Sequence, residues 1–176
     1  SKSDAYGIQR ARRAHIPFET VCSRDFNGSR HDYDARLLST VKNYRPDLVV
    51  CAGFMRVLTN TFIDAYRGRL INLHPSLPGG LIGTDCIKRT WDLYHDKNPP
   101  NDETWHGVPK EEVADKLSGA MVHQVVEEVD KGTPLATMKV EINDNDTLQT
   151  LKQRVKSYEK GLVISVLQNY IRSKNE

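Results

Sequence analysis

An amide and an imidazole stand two residues apart near the middle of the chain, as Asn72 and His74. Residues 69–74 form a short apolar run, predicted as a strand, that leads into a Pro- and Gly-rich loop. Side chains two apart on a strand share a face, so Asn72 and His74 are predicted to point the same way. In open α/β sheets ligands bind at the carboxyl ends of strands. An amide donor beside an imidazole suits a reaction that passes through a tetrahedral oxyanion.

A carboxylate that could complete this set is Asp130, far downstream. It lies in the turn 127–133 between two predicted strands, where aspartate is a common residue. Polar loop residues such as Asn72 often only bond the backbone, so the residue types alone leave a structural role open. His123 stands within an apolar strand, where a packed histidine and a supporting role are both compatible with the sequence.

Other chemistries find little support in the sequence. His74, His123 and Asp130 are possible metal ligands, but no H-E-x-x-H motif or Cys/His cluster accompanies them, and we predict no metal. Cys51 sits in the most apolar strand, where a thiol is usually inert packing. Ser76 lacks the G-x-S-x-G turn of a serine hydrolase. No glycine-rich phosphate loop occurs either.

Composition limits the class of protein. A chain of 176 residues suits one domain, predicted over residues 1–176. The net charge of +2 comes from interspersed charges, which argues against a nucleic-acid partner. The three cysteines show no disulfide or zinc spacing, and a reducing, cytoplasmic location follows. No apolar run approaches the ~20 residues of a membrane span, and the first residues lead into a helical pattern rather than a signal peptide. We therefore predict a protein with no membrane association.

The first half of the chain alternates helix and strand patterns, which predicts parallel strands with right-handed crossovers. The predicted elements are a helix over about 4–14 capped by Asp4, a strand at 18–22, a helix over about 31–43, a strand at 48–53 buried on both faces, a short helix capped by Thr59, and the strand that ends at His74. Because a parallel α/β domain normally begins with a strand, we expect the first β-loop-α unit of this domain to be lacking.

The second half differs in pattern. Residues 92–118 are rich in charge and Pro and are predicted as a surface insertion or flap. Two strands follow at 120–126 and 135–142, most simply as an antiparallel pair, and a long amphipathic helix covers 147–173. The fold class is thus α/β: a three-layer, doubly wound, mostly parallel sheet with an antiparallel pair near the C-terminus and a long C-terminal helix.

Three segments in this order resemble the phosphoribosylglycinamide formyltransferase family, the folate-dependent enzymes of de novo purine synthesis. They are A-G-F-M-R at 52–56, R-L-I-N-L-H-P-S-L-P-G at 69–79, and M-V-H at 121–123 followed by V-D-K-G-T-P-L at 129–135. The short Pro-Gly loop and the insertion after Trp91 resemble the fungal members. The resemblance extends from residue 1 to the last helix, without the family's first strand and Gly/Ser-rich phosphate loop. Thr84, Asp85 and Cys86 stand where relatives often have a histidine.

The resemblance implies roles for individual residues. Asn72, His74 and Asp130 would be catalytic, with His123 in support. The folate-binding residues would be Arg30, Met55, Arg56, Val57, Leu58, Val126, Glu127, Glu128 and Val129. The residues that contact the ribonucleotide would be Met55, Pro75, Lys156 and Glu159. By position alone, Lys156 and Glu159 would be an ordinary surface ion pair three residues apart on a helix.

The implied reaction moves the formyl group of 10-formyltetrahydrofolate, a cosubstrate, to the amine of 5'-phosphoribosylglycinamide. Asn72 and a protonated His74 would donate to the oxyanion, and Asp130 would favour the charged imidazole. The expected partners are small molecules only, in a monomer or homodimer. The alternatives are a formyltetrahydrofolate hydrolase, a catalytically impaired folate-binding module and, more distantly, a metal-dependent hydrolase. A methionyl-tRNA formyltransferase would carry a further C-terminal nucleic-acid-binding domain.

Overall fold

The computed structural model describes residues 5–95 and 117–175. These residues form five α-helices, one short 3₁₀ helix and four strands. In chain order they are α1 (Tyr6–Arg13), the 3₁₀ helix (Ser23–Phe26), α2 (Arg30–Asn43), β1 (Val49–Ala52), α3 (Asn60–Ala65), β2 (Leu70–His74), α4 (Cys86–His95), β3 (Leu117–Gln124), β4 (Pro134–Glu141) and α5 (Leu148–Asn175). None of the described helices has the length and apolar character needed to cross a membrane.

The four strands form one mixed sheet in the order β1-β2-β3-β4. β1 and β2 are parallel, as the crossover through α3 requires. β3 runs antiparallel to both β2 and β4. The predicted antiparallel pair is therefore confirmed, and the register places Asn72 directly opposite His123.

Helices cover both faces of this sheet. Alternate residues of β2 point to opposite sides: Leu70 packs into a cluster with Leu38 of α2 and Phe62 of α3, whereas Ile71 packs with Leu162 of α5. The predicted three-layer α/β fold with a long C-terminal helix is confirmed, but its described sheet is mixed rather than mostly parallel, because only the β1–β2 pair is parallel. Because side chains two apart share a face, Asn72 and His74 lie on the side of the sheet that Leu70 faces.

A buried carboxylate joins α2 to the start of α3. Asp34, which is 1% exposed, accepts a hydrogen bond from the backbone N–H of Thr59, the residue that precedes α3. The N–H groups at the start of a helix have no partner within the helix, so this carboxylate satisfies one of them. The contact also fixes the end of the loop 53–58, which leads from β1 to α3.

The start of α5 is held by a second carboxylate. Arg154 in α5 donates to both carboxylate oxygens of Asp146 and to the carbonyl oxygen of Glu141. Next to this contact, Leu151 and Val155 of α5 are fully buried against Val140 of β4. The ion pair and the apolar cluster together seat the helix on the C-terminal half of the sheet.

Two predictions about the sheet edge are wrong. Residues 18–22 are not a strand but an irregular segment before the 3₁₀ helix. The strand predicted to be buried on both faces is only partly covered: Cys51 is buried, Val49 and Val50 are half-buried, and Ala52 is exposed. The physical reason is the same for both, because among the described residues only β2 pairs with β1, whose outer edge has no strand beside it.

The predicted insertion at 92–118 lies mostly outside the described residues. Its first four residues form the last turn of α4, and its last two begin β3. The proposed helix cap, Asp4, also lies outside the described residues. The other predicted elements of the first half are present, with Ser29 capping α2 through its side chain and Thr59 at the cap position of α3.

Candidate active site

The polar residues singled out from the sequence meet at the carboxyl end of β2. Asn72 and His74 come from β2, His123 from the adjacent position on β3, and Asp130 from the turn between β3 and β4. Asp130 lies 3.5 Å from each of the two β2 side chains, measured from Oδ1 to Asn72 Nδ2 and from Oδ2 to His74 Nδ1. Residues 58 positions apart in sequence thus form one cluster.

His74 is held by acceptors on both sides of its ring. Nε2 lies 2.8 Å from the carbonyl oxygen of Leu81, so it carries a proton and donates to that carbonyl. Nδ1 faces Asp130. The side chain is 4% exposed, which leaves little water to compete. A ring with an acceptor at each nitrogen is best satisfied when both nitrogens are protonated, so this environment suits an imidazolium.

The hydrogen bonds of His123, by contrast, require a neutral ring. Its Nδ1 donates to the carbonyl oxygen of Gln124 at 2.8 Å, and its Nε2 accepts from Asn72 Nδ2 at 3.2 Å. Burial lowers the pKa of His123, against the opposing effects of the Gln124 carbonyl and Asp130, which favours the neutral ring that this pattern requires. The neutral ring fixes the orientation of the Asn72 amide, because a flipped amide would turn its oxygen toward both His123 Nε2 and the Asp130 carboxylate.

Asp130 is aimed at the cluster by an unusual backbone turn. Its φ of 57° lies in the left-handed region, which Asp adopts more readily than most residues. The Gly83 N–H donates to its Oδ2 at 2.9 Å. Gly132 lies two residues after Asp130 in the same turn. A Cβ at Gly132 would lie 1.6 Å from the Gln124 carbonyl oxygen, so only glycine fits where the turn meets β3.

A cavity of about 230 Å³ opens beside these side chains. Aliphatic groups from the β1–α3 loop and from the β3–β4 turn form much of its wall, and Asn72, His74 and Asp130 form its polar end. The predicted ligand-binding residues found in its lining are Met55, Arg56, Val57, Leu58, Pro75, Val126, Glu127 and Val129. The Arg56 guanidinium lies 4.7 Å from the centroid of the Tyr33 ring, which holds its charged end near the entrance.

Four predicted ligand-binding residues do not line this cavity. Arg30 is the exposed first residue of α2, and Glu128 is exposed in the β3–β4 turn. Lys156 and Glu159 lie on α5, where Lys156 is exposed and Glu159 is half-buried. Burial raises the pKa of Glu159, and the charge of Lys156 opposes that rise. The roles assigned to these four residues stay predictions.

Sequence reasoning missed the loop that follows the Pro-Gly segment. Leu81 contributes a carbonyl to His74, Gly83 an N–H to Asp130, and Cys86 a buried sulfur 3.7 Å from His74 Nε2. The residue types in a sequence do not indicate which backbone groups will contact a side chain of the site. Two signals were available: Gly83, whose φ of 83° favours glycine, and the departure from relatives at Thr84, Asp85 and Cys86.

The described residues contain no cluster of three or more His, Cys, Asp or Glu side chains arranged to hold a metal ion. Burial raises the pKa of the Cys51 thiol to about 11. A thiol in that state is a poor nucleophile, in agreement with its interpretation as packing.

Comparisons with known proteins identify the family of this chain. The chain belongs to the formyl transferase family, which its sequence matches over residues 1–167. Within that family its relatives include phosphoribosylglycinamide formyltransferases. The enzyme of Escherichia coli is 33% identical over 162 residues, covering 92% of this chain and 66% of the enzyme. That of Dictyostelium discoideum is 32% identical, covering 94% of this chain and 79% of the enzyme.

A solved structure gives the same result for the fold. The phosphoribosylglycinamide formyltransferase of Bacillus halodurans superposes with a TM-score of 0.82 at 28% identity, covering 100% of this chain and 79% of that one. The resemblance inferred from the three sequence motifs is confirmed. The chain spans about two thirds of the E. coli enzyme and about four fifths of the other two.

Proposed function

We propose that this protein transfers the formyl group of 10-formyltetrahydrofolate to the amine of 5'-phosphoribosylglycinamide. The observation that carries the proposal is the cluster of Asn72, His74 and Asp130 at the polar end of an apolar cavity. The family and the named relatives supply the class of reaction. The cluster supplies two donors and one carboxylate.

In the proposed reaction the substrate amine attacks the formyl carbon, and the π electrons of the carbonyl move to its oxygen. Asn72 Nδ2 and His74 Nδ1 both point toward Asp130 and the cavity, where they can donate to the developing oxyanion. The tetrahedral intermediate then collapses, the bond from the formyl carbon to N10 breaks, and the new formamide bond remains. One proton leaves the attacking amine and one reaches N10, so the exchange balances without an outside acid or base.

Asp130 has two tasks in this mechanism. Its negative charge beside Nδ1 stabilises the protonated form of His74. Its carboxylate also lies where it can hold a water that carries the proton from the amine to N10. The Gly83 N–H keeps Oδ2 in place by a 2.9 Å hydrogen bond, so the carboxylate does not need to reorganise during the reaction.

The cavity wall is suited to the folate ring system. Residues 54–58 and the turn residues Val126 and Val129 present mainly aliphatic surface, against which a flat heterocycle can pack. Arg56 at the entrance and Arg30 on α2 are proposed to meet the negatively charged glutamate tail. Pro75, Met55, Lys156 and Glu159 are proposed to contact the ribonucleotide. We further propose that the protein works in the cytoplasm on these small molecules, without a metal or a nucleic acid.

The test is a transfer assay with the full chain, 10-formyltetrahydrofolate and either phosphoribosylglycinamide or water as the acceptor. We expect formation of the formylated ribonucleotide that depends on the acceptor concentration, with only slow release of formate in its absence. Formate release at the same rate with and without the ribonucleotide would identify a hydrolase. Binding of the folate without either product would identify an impaired folate-binding module.

A further inference from the structure

One loop contacts both the imidazole and the carboxylate of the cluster. We call residues 81–86, which lead from the Pro-Gly segment to the first residue of α4, the support loop. The carbonyl oxygen of Leu81 accepts from His74 Nε2, and the N–H of Gly83 donates to Asp130. The position of this loop therefore determines which nitrogen of His74 faces the cavity.

The buried side chain of Cys86 contacts the backbone of the support loop. Its side chain has 0% exposure, and its Sγ lies 3.4 Å from the carbonyl oxygens of both Leu81 and Gly83. The same sulfur lies 3.7 Å from His74 Nε2. Burial raises the pKa of this thiol to about 11, so the group stays protonated at neutral pH and its single S–H can donate to either of these two carbonyls.

We propose that Cys86 is a positioning residue for His74, acting through the support loop. The single S–H donates to the carbonyl oxygen of Leu81 or of Gly83, and the sulfur packs against the Nε2 edge of the imidazole. Together these contacts keep the Leu81 carbonyl at Nε2 and leave Nδ1 directed toward Asp130. The catalytic consequence rests on the proposed function, whereas the structural part, the state of the His74 ring, does not.

The chemistry of the reaction makes this orientation important. If the loop carbonyl moves away from Nε2, that N–H loses its acceptor, and the ring is free to turn so that its Nδ1–H no longer points toward Asp130 and the cavity. A ring turned by even a small angle presents a weaker Nδ1–H donor to the oxyanion. Donors held in place before the reaction are the ones that lower its barrier. Gly83, Thr84 and Asp85 of the support loop also line the cavity, but its aliphatic wall comes mainly from the β1–α3 loop and the β3–β4 turn, so we expect folate binding to change less than the chemical step.

A filling role and a positioning role predict different results for two small substitutions. Cys86→Ala removes the donor and the sulfur, whereas Cys86→Ser keeps a donor of similar size. If the residue only fills space, both variants should lose stability and neither should change the chemistry selectively. If it positions His74, Ser should restore most of what Ala loses.

The experiment measures kcat and the KM for 10-formyltetrahydrofolate of the full chain, together with ¹⁵N NMR of the His74 ring. Two controls are matched to it. Val140→Ala removes buried volume from β4, outside the support loop, and Cys22→Ala removes a thiol outside the cavity lining. We expect Cys86→Ala to lower kcat by about tenfold with KM little changed, as small misplacements of catalytic groups do. Cys86→Ser and both controls should keep most of the wild-type kcat.

The NMR arm is independent of activity. In the wild-type protein we expect a single set of ring signals, with an Nε2–H that donates to Leu81 and an Nδ1–H that faces Asp130, and in Cys86→Ala additional or exchange-broadened signals from a ring that is no longer held in one orientation. The proposal is overturned if Cys86→Ala keeps the wild-type kcat, if its His74 signals are those of the wild type, or if Ser loses as much as Ala. A wild-type protein that transfers no formyl group would refute the proposed function, and the NMR comparison would then decide the role of Cys86 alone.

Discussion

Asn72 supplies a donor that matters only when negative charge develops on the formyl oxygen. Asn72→Ala should therefore lower kcat by about 10²–10³-fold, the usual effect of losing one oxyanion donor. The KM for the folate should change little, because ground-state packing lies in the aliphatic wall. Steady-state kinetics would measure both, with Asn169→Ala on the exposed face of α5 as the control. A higher KM with an unchanged kcat would mean that Asn72 serves substrate binding.

His123 should make the protein less stable in mild acid. Its pKa is lowered by burial, so below about pH 6.5 the unfolded chain binds a proton that the folded chain does not yet accept. The contribution of the neutral His123 ring to the free energy of unfolding is therefore fully present above about pH 6.5. It is lost as the pH decreases toward the lowered pKa.

The check is the midpoint of thermal unfolding between pH 8 and pH 5 for the wild type and for His123→Phe. His74 and Asp130 face this ring in both proteins, so the difference between the two curves isolates His123. We expect the wild-type curve to fall more steeply toward acid. Parallel curves would contradict the neutral ring assigned to His123.

The turn between β3 and β4 is sensitive to one methyl group. Gly132→Ala would place a Cβ against the carbonyl oxygen of Gln124, and we expect a loss of more than about 3 kcal/mol in the free energy of unfolding from this overpacking. Gly161→Ala is the matched control, since a Cβ there meets nothing within 4 Å on an exposed part of α5. That change should stabilise the protein by about 0.5–1 kcal/mol. Urea unfolding of the two variants would show opposite signs, and equal values would contradict the close approach.

The start of α5 should depend on the charge of Asp146. Its pKa is lowered to about 2, mainly by hydrogen bonding to Arg154. The carboxylate therefore stabilises the fold above its ordinary pKa of 3.8, and that stabilisation is lost as the pH falls from about 4 toward 2.

Asp146→Asn should accordingly cost about 1.5–3 kcal/mol at neutral pH, the range for hydrogen bonds to charged groups. The cost should shrink as the pH approaches 2. Denaturant unfolding at pH 7, 4 and 2 measures it, with Asp47→Asn as an exposed control. An equal cost at all three pH values would show that shape, rather than charge, is what Asp146 contributes.

Much of the architecture was predictable because local patterns were strong. The apolar run that ends at His74, the alternation of helices and strands, and the amphipathic tail all correspond to observed elements. The sheet edge was not predictable in the same way. Residues 18–22 have the composition of a strand, yet a strand forms only where another strand accepts its hydrogen bonds, and this depends on the whole fold. That a β-loop-α unit belongs before α1 stays a prediction.

The site was predictable in its side chains and not in its backbone. Asn72 and His74 follow from the two-residue period of a strand, and the resemblance to a known family drew attention to Asp130. The contacts made by the Leu81 carbonyl and the Gly83 N–H depend on the path of the support loop, and they come from backbone groups that nearly every residue type carries. Cys86 was visible only as a departure from relatives, and its meaning required its distance to His74.

The central claim is that one carboxylate, held against His74, is needed for formyl transfer. The most direct measurement compares wild type and Asp130→Asn for transfer from 10-formyltetrahydrofolate to phosphoribosylglycinamide, at the same pH and saturating substrates. The substitution keeps the shape of the side chain and removes its charge. We predict that kcat falls by about 10²-fold or more, since both the charged imidazole and the proton path are lost. An Asp130→Asn protein with kcat close to that of the wild type would contradict this account.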